Sequence, residues 1–171
     1  MTETSSLPHT MSEVVAALTR TLSAQTSPGD LAALRRMRRD DYGCPAFWKM
    51  AADQLHAELS LQEPLRSVRE VQWADIVVAM AELVGFHDPR RSLGRALAEA
   101  GYSDLRLLQL LRSHGEVLAD GVRTMAHYLR SKAEACNQTE IASLVLSDGR
   151  RDAERVRRRI ARDYYSRSAA R

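Results

Sequence analysis

The sequence predicts an all-α protein, a helical bundle of eight or nine helices packed as one bundle or as two sub-bundles. Three observations carry that expectation. Apolar residues recur at intervals of three and four along most of the chain. No run alternates apolar and polar residues with the period of a strand, and no repeat of fixed length is visible. The breaks between periodic stretches hold the residues that start and stop helices, namely proline, serine, asparagine and glycine.

The elements follow in order. Thr10 to Gln25 places Val14, Val15, Leu18 and Leu22 on one helix face, and SPGD (27–30) ends it. Leu31 to Arg39 comes next, with Ala33, Leu34 and Met37 inward, until DDYG (40–43) breaks the pattern. Pro45 suits a first helical turn, and that helix runs to about Leu59. After Glu63-Pro64 a long helix spans about Val68 to Val84 and carries Trp73, Ile76, Val77, Met80 and Leu83. GFHDPRR (85–91) reads as a loop. A short helix from Ser92 to Ala100 is closed by Gly101, and Ser103 caps the next, over 104–112. Glu116 to Ala135 is long, and Asn137 or Thr139 caps a helix ending at Asp148-Gly149. The last helix fills 150–166.

At 171 residues the chain has the length of one domain, expected over 10–166 and divisible at about 10–85 and 92–166. Flexible ends are expected at 1–9 and 167–171. Hydrophobic residues make up 44% and charged residues 27%, a globular balance. No stretch has the length of a membrane span, the N-terminus lacks the pattern of a secretory signal, and Cys44 and Cys136 form no CxxC pair. A soluble cytoplasmic protein with no membrane partner is the expectation.

Charge is unevenly placed. Residues 150–171 hold nine arginines against Asp152, Glu154 and Asp163, a local charge of +6. The whole chain carries +3, so the remaining residues sum to −3. Only Lys49 and Lys132 among the 25 basic residues are lysine. Arginine's planar fork can grip phosphate oxygens in pairs. At 100° per residue, Ala153, Val156, Ile160 and Tyr164 share one side of the last helix. Arg151, Arg155, Arg158 and Arg162 share the other, with Glu154–Arg158 and Arg159–Asp163 spaced to pair. LAALRRMRRDD repeats the design, with Arg35 and Arg39 outward and Arg36 and Arg38 on the flanks. Two such stripes point to a polyanion, held with a steep salt dependence. Phe47, Trp48, Trp73 and Phe86 sit in apolar surroundings and read as core. The grip is therefore expected on the backbone, without base stacking.

No catalytic residue, cofactor or metal site is expected. Asp53 and His56 are spaced as half of a di-metal site, but no second half exists, so they read as a surface pair. His87-Asp88 is a lone dipeptide, the cysteines read as buried thiols, and no phosphate-binding glycine loop occurs.

SLGRALAEAG (92–101), followed by LRLLQLLR (105–112), resembles the small subunit (CasB family) of the type I-E CRISPR Cascade surveillance complex. GDLAALRRM (29–37), CPAFWKM (44–50) and Gly149-Arg150-Arg151 fit the same family in the same order, over roughly residues 14–165. The resemblance implies a helical, non-enzymatic subunit acting in antiviral defence. Its partners would be the crRNA, both strands of the opened target DNA, the backbone and large subunits of Cascade, and a second copy of itself. By matching motif, Arg112, Arg150 and Arg151 carry over as nucleic-acid contacts, with Arg36 and Lys49 beside them. His127 stands where some relatives have a basic residue. Arg35, Arg39, Arg155, Arg158 and Arg162 rest on the stripes alone. The rival readings are a stand-alone helical DNA-binding regulator, whose second helix would have to read bases, and a helical protein–protein adaptor. The junction of 104–112 with 116–135 reads as too loose for the regulator. Gly94 and the alanines around it read as a surface for close helix packing.

Overall fold

The computed structural model describes residues 10–39 and 43–168; of the flexible ends expected at 1–9 and 167–171, residues 1–9 and 169–171 lie outside them, while 167 and 168 belong to the last helix. Nine helices occur among the described residues, and no strand. They are α1 Met11–Ala24, α2 Pro28–Arg36, α3 Pro45–Gln54, α4 Leu65–Glu82, α5 Leu93–Ala100, α6 Asp104–Arg112, α7 Gly115–Ser131, α8 Gln138–Leu146 and α9 Ala153–Ser168.

Local chemistry sets most of the starts. Thr10 and Glu13 form a reciprocal capping box at α1. The side chains of Ser27, Ser92, Ser103 and Asn137 accept backbone amides at the heads of α2, α5, α6 and α8. The ends differ from expectation where tertiary contacts intervene. α7 stops at Ser131, because Ala133 turns left-handed (φ 54°) and Glu134 N–H reaches back to the Leu129 carbonyl. α9 starts at Ala153 rather than 150. Gly149 (φ 75°) reverses the chain there, and residues 150–152 form a turn in which Arg150 N–H donates to Ser147 O. α6 and α7 are separated by Ser113 and His114 alone, a tighter junction than the sequence suggested.

α4 is the central helix. Its Trp73, Ile76, Val77, Ala79 and Met80 are buried, and it packs against α1, α2, α7 and α8. One apolar cluster runs from Val14 on α1 to Tyr164 on α9, spanning both expected sub-bundles. α9 is fastened to α5 by an unusually close approach. A β-carbon built on Gly94 would lie 2.2 Å from the Ile160 carbonyl oxygen. Only glycine fits there, the close packing expected of SLGRALAEAG. Glu140, buried at the head of α8, accepts from Leu93 N–H at 2.7 Å and faces Arg159 of α9 at 3.6 Å. Burial raises its pKa, while Leu93 and Arg159 oppose the rise. The core face of α9 is as expected, with Ala153, Val156, Ile160 and Tyr164 all buried.

Candidate nucleic-acid interface

Two open grooves hold most of the predicted cations. The larger, about 960 Å³, lies between the end of α2, α4 and α7. Its shape follows from how α2 ends. Arg123 of α7 donates to the carbonyls of Arg35 (2.8 Å) and Met37 (2.6 Å), satisfying the last acceptors of α2 with a cation at the negative end of the helix dipole. The helix therefore closes at Arg36 and the chain turns, so Arg38 and Arg39 leave the helical register.

That corrects the expected outward stripe. Arg35 turns in and donates Nε–H to Ala81 O at 2.8 Å. Arg39 is held by Asp75 at 3.0 Å. Arg36 and Arg38 are exposed and have no carboxylate partner among the described residues. Burial pushes the Asp75 carboxyl up to about 6, against the pull of Arg39; Asp120 raises it further and Arg123 lowers it.

The second groove, about 760 Å³, runs along α9 beside α8 and the start of α1. Arg150, Arg155, Arg158, Arg159 and Arg162 line it, with Asp152 and Glu154. Arg158 pairs with Glu154 at 2.9 Å, as its spacing foretold. Arg159 faces Glu140 rather than Asp163, because α8 brings a buried carboxylate closer. Arg150 lies 3.7 Å from Asp152. Arg151, Arg155 and Arg162 are exposed and have no carboxylate partner among the described residues. Positive potential extends sideways: burial first, and nearby Arg150 second, lower the pKa of Arg69, which donates to Leu146 O.

Arg112 ends α6 and is exposed. A clamp absent from the sequence reading joins its turn to that of Arg150 and Arg151. Asp148 accepts from Gly115 N–H at 2.8 Å and from Arg157 at 2.9 Å, and meets His114 Nδ1 at 2.7 Å. Arg157, only 11% exposed, also donates to Ser113 O. Burial raises the Asp148 pKa, but these donors hold it below the ordinary aspartate value. So α9 commits Arg157 to architecture, sets Arg158 and Arg159 against carboxylates, and presents Arg155 and Arg162. Lys49 is exposed on α3. His127 is exposed beside Glu82, which Arg130 holds at 2.8 Å.

Among the aromatics, Phe47 and Trp73 are core and Phe86 is half-buried, but Trp48 is 36% exposed. Its expected burial is corrected: Phe47, Met50 and Ala51 form the inward face of α3, and one residue's rotation carries Trp48 off it. Asp53 and His56 are both exposed, and no cluster of metal-ligating side chains occurs among the described residues. Both cysteines are buried thiols. No described helix is long and apolar enough to cross a membrane.

The fold and its grooves define a class: a helical module that spends its arginines on open surface between helices. The chain belongs to the family of CRISPR-associated protein Cse2, whose model matches residues 30–165. The resemblance read from 92–112 and its companion motifs thus holds. The fold is that of a chain in the crystal structure of E. coli Cascade bound to a PAM-containing dsDNA target. The TM-score is 0.70 at 20% identity, over 91% of this chain and 97% of that one. M. ruber CasB superposes with a TM-score of 0.68 at 21% identity, over 94% and 95%. Comparison with curated proteins finds no match.

Proposed function

We propose that this protein is a non-enzymatic subunit of an RNA-guided DNA surveillance complex of the Cascade type, cytoplasmic and acting in antiviral defence. Its exposed arginines hold the sugar-phosphate backbone of the crRNA–target hybrid and of the displaced strand. Sequence choice in such a machine belongs to guide pairing, so the protein needs shape and charge alone. The neighbours it requires are the backbone and large subunits and a second copy of itself.

The single observation that carries the reading is the joint mounting of Arg112, Arg150 and Arg151 on turns tied by Asp148, continuous with Arg155 and Arg162 along α9. Family membership over residues 30–165 supports it. The carried-over Arg36 and Lys49 fit the same role from α2 and α3. Arg35, Arg39 and Arg158 are weaker candidates, since each is engaged inside the molecule.

The test is the salt dependence of R-loop retention by the reconstituted complex. Replacing Arg112, Arg150 and Arg151 by alanine should leave assembly intact and weaken retention. Each lost phosphate contact should reduce the slope of log K against log salt by about 0.7 to 0.9. An unchanged slope with normal assembly would refute the assignment, and the absence of any salt-sensitive binding would favour the adaptor reading.

A further inference from the structure

His114 is the outermost member of the Asp148 clamp. Its side chain is 64% exposed, against 14% for Asp148 and 11% for Arg157. The hydrogen bonds assign its ring protons. Asp148 is held below the ordinary aspartate value, so its carboxylate only accepts. Arg157 aims Nη2 at Asp148 Oδ1 and Ser113 O, and lies a longer 3.3 Å from His114 Nδ1. At 2.7 Å from Asp148 Oδ1, Nδ1 must therefore carry a proton. Nε2 sits on the far edge of the ring from this bond. In the neutral imidazole it holds a lone pair, and only in the imidazolium is it a donor.

Charge counting gives the consequence. Asp148 and Arg157 neutralise each other, so a neutral His114 leaves the clamp without net charge. An imidazolium adds one positive charge, carried on the most exposed ring of the cluster. The charged groups around it are Arg112 at the end of α6, Arg150 and Arg151 on the opposing turn, Glu116 in the first turn of α7, and Asp152, which lies 3.7 Å from Arg150. Three arginines against two acids favour an anion there. Arg112 is two residues from His114 and Arg150 two from Asp148, so each α-carbon lies within about 7 Å of its clamp residue's. A phosphate oxygen is an acceptor. It is repelled by the Nε2 lone pair and bound by Nε2–H.

We propose that His114 is a further phosphate ligand between Arg112 and the Arg150–Arg151 pair, engaging through Nε2–H, so that the backbone contact at these turns is made with uptake of one proton from solvent. This rests on the phosphate reading above and adds a residue and a pH dependence to it.

The test uses the full-length chain and a labelled single-stranded oligothymidylate, with affinity read by anisotropy over a range of salt. It is run at about pH 5.5 and about pH 8, which bracket the usual charge change of histidine. His114→Asn is the informative variant, because its side-chain amide can keep the bond to Asp148 while Nε2 is lost. Asp75 also titrates in this window, so every chain is measured in an Asp75→Asn background as well. From the higher pH to the lower, wild type should gain about fivefold more affinity than His114→Asn, the worth of one exposed ion pair at the upper end of its range. At the lower pH the wild-type slope of log K against log salt should be steeper by about 0.7, one phosphate on a single strand. At the higher pH the two slopes should coincide. His114→Lys, charged throughout, should hold at about pH 8 the affinity that wild type reaches at about pH 5.5. An equal pH dependence in wild type and His114→Asn would overturn the proposal and leave the arginines as the phosphate ligands. An equal loss at both pH values would overturn it too, reducing His114 to a fastener of the clamp. No salt-sensitive binding by wild type at either pH would refute the phosphate reading along with it.

Discussion

Gly94→Ala adds one methyl group at the junction of α5 and α9, and the geometry sets its cost. The new carbon would lie 2.2 Å from Ile160 O, 2.8 Å from Tyr164 N and 2.9 Å from Asp163 Cβ. Ordinary contact begins near 3.4 Å. Two of the three obstacles are backbone, so no rotamer change relieves them. The helices must part by about 1 Å, and a gap of that size forfeits up to roughly half the dispersion energy of each facing contact. The contacts at risk belong to Leu93, Ala96 and Leu97 on one side and Ile160 and Tyr164 on the other, all buried. Overpacking of this kind costs about 3 kcal/mol, the upper end of its usual range. Alanine's better helix propensity offsets about 1 kcal/mol. The net loss of about 2 kcal/mol should lower Tm by about 4–8 °C for a domain of this size. Gly29→Ala is the matched control, since its nearest obstacle is Ser27 Oγ at 3.9 Å, and it should raise stability by about 0.5–1 kcal/mol. Thermal melts of the two variants beside wild type decide the matter. If Gly94→Ala melted at or above wild type, the close approach of α5 and α9 would be wrong.

Two further outcomes follow from titrating groups. Asp75 titrates near 6 in the folded chain, above the ordinary aspartate value of 3.8, so the folded state binds its proton more tightly than the unfolded state. Stability from this group is therefore greatest at acid pH and declines as pH rises from about 4 to about 6. Asp75→Asn should flatten that part of the pH–stability profile and release Arg39, so that the variant binds oligonucleotide more tightly at neutral pH. A profile of wild-type shape in Asp75→Asn would sink this. Burial pushes the Cys136 thiol up to about 12, with Glu140 adding to the rise. Iodoacetamide should leave Cys136 unmodified in the native protein and alkylate it after denaturation, as peptide mass mapping would show; labelling at native pH would contradict its burial.

The parts of the fold legible in the sequence are those decided locally. Ser103 caps the helix it was expected to cap, and Asn137, one of the two residues offered for α8, caps that one, because an N-cap needs only its own next turn. The inward face of α9 follows from spacing alone, and Gly94 announced a close approach by its size. What stayed hidden depends on residues far along the chain. The end of α2 is set by Arg123, so the inward engagement of Arg35 by Ala81 and of Arg39 by Asp75 could not be read from their own segment. Arg157 sits among surface arginines in sequence yet is drawn inward by Asp148 and Ser113. The exposure of Trp48 was recoverable: Phe47, Met50 and Ala51 define the buried stripe of α3, and Trp48 falls outside it.

The Asp148 clamp has a mechanical consequence. It welds two reversals of the chain more than thirty positions apart, so that neither can hinge without the other. Arg112 and the Arg150–Arg151 pair stand on opposite sides of that weld. A tug on either is passed straight into the frame formed by α5 and α9 instead of being absorbed by a slack loop, and the spacing between these charges behaves as a fixed gauge.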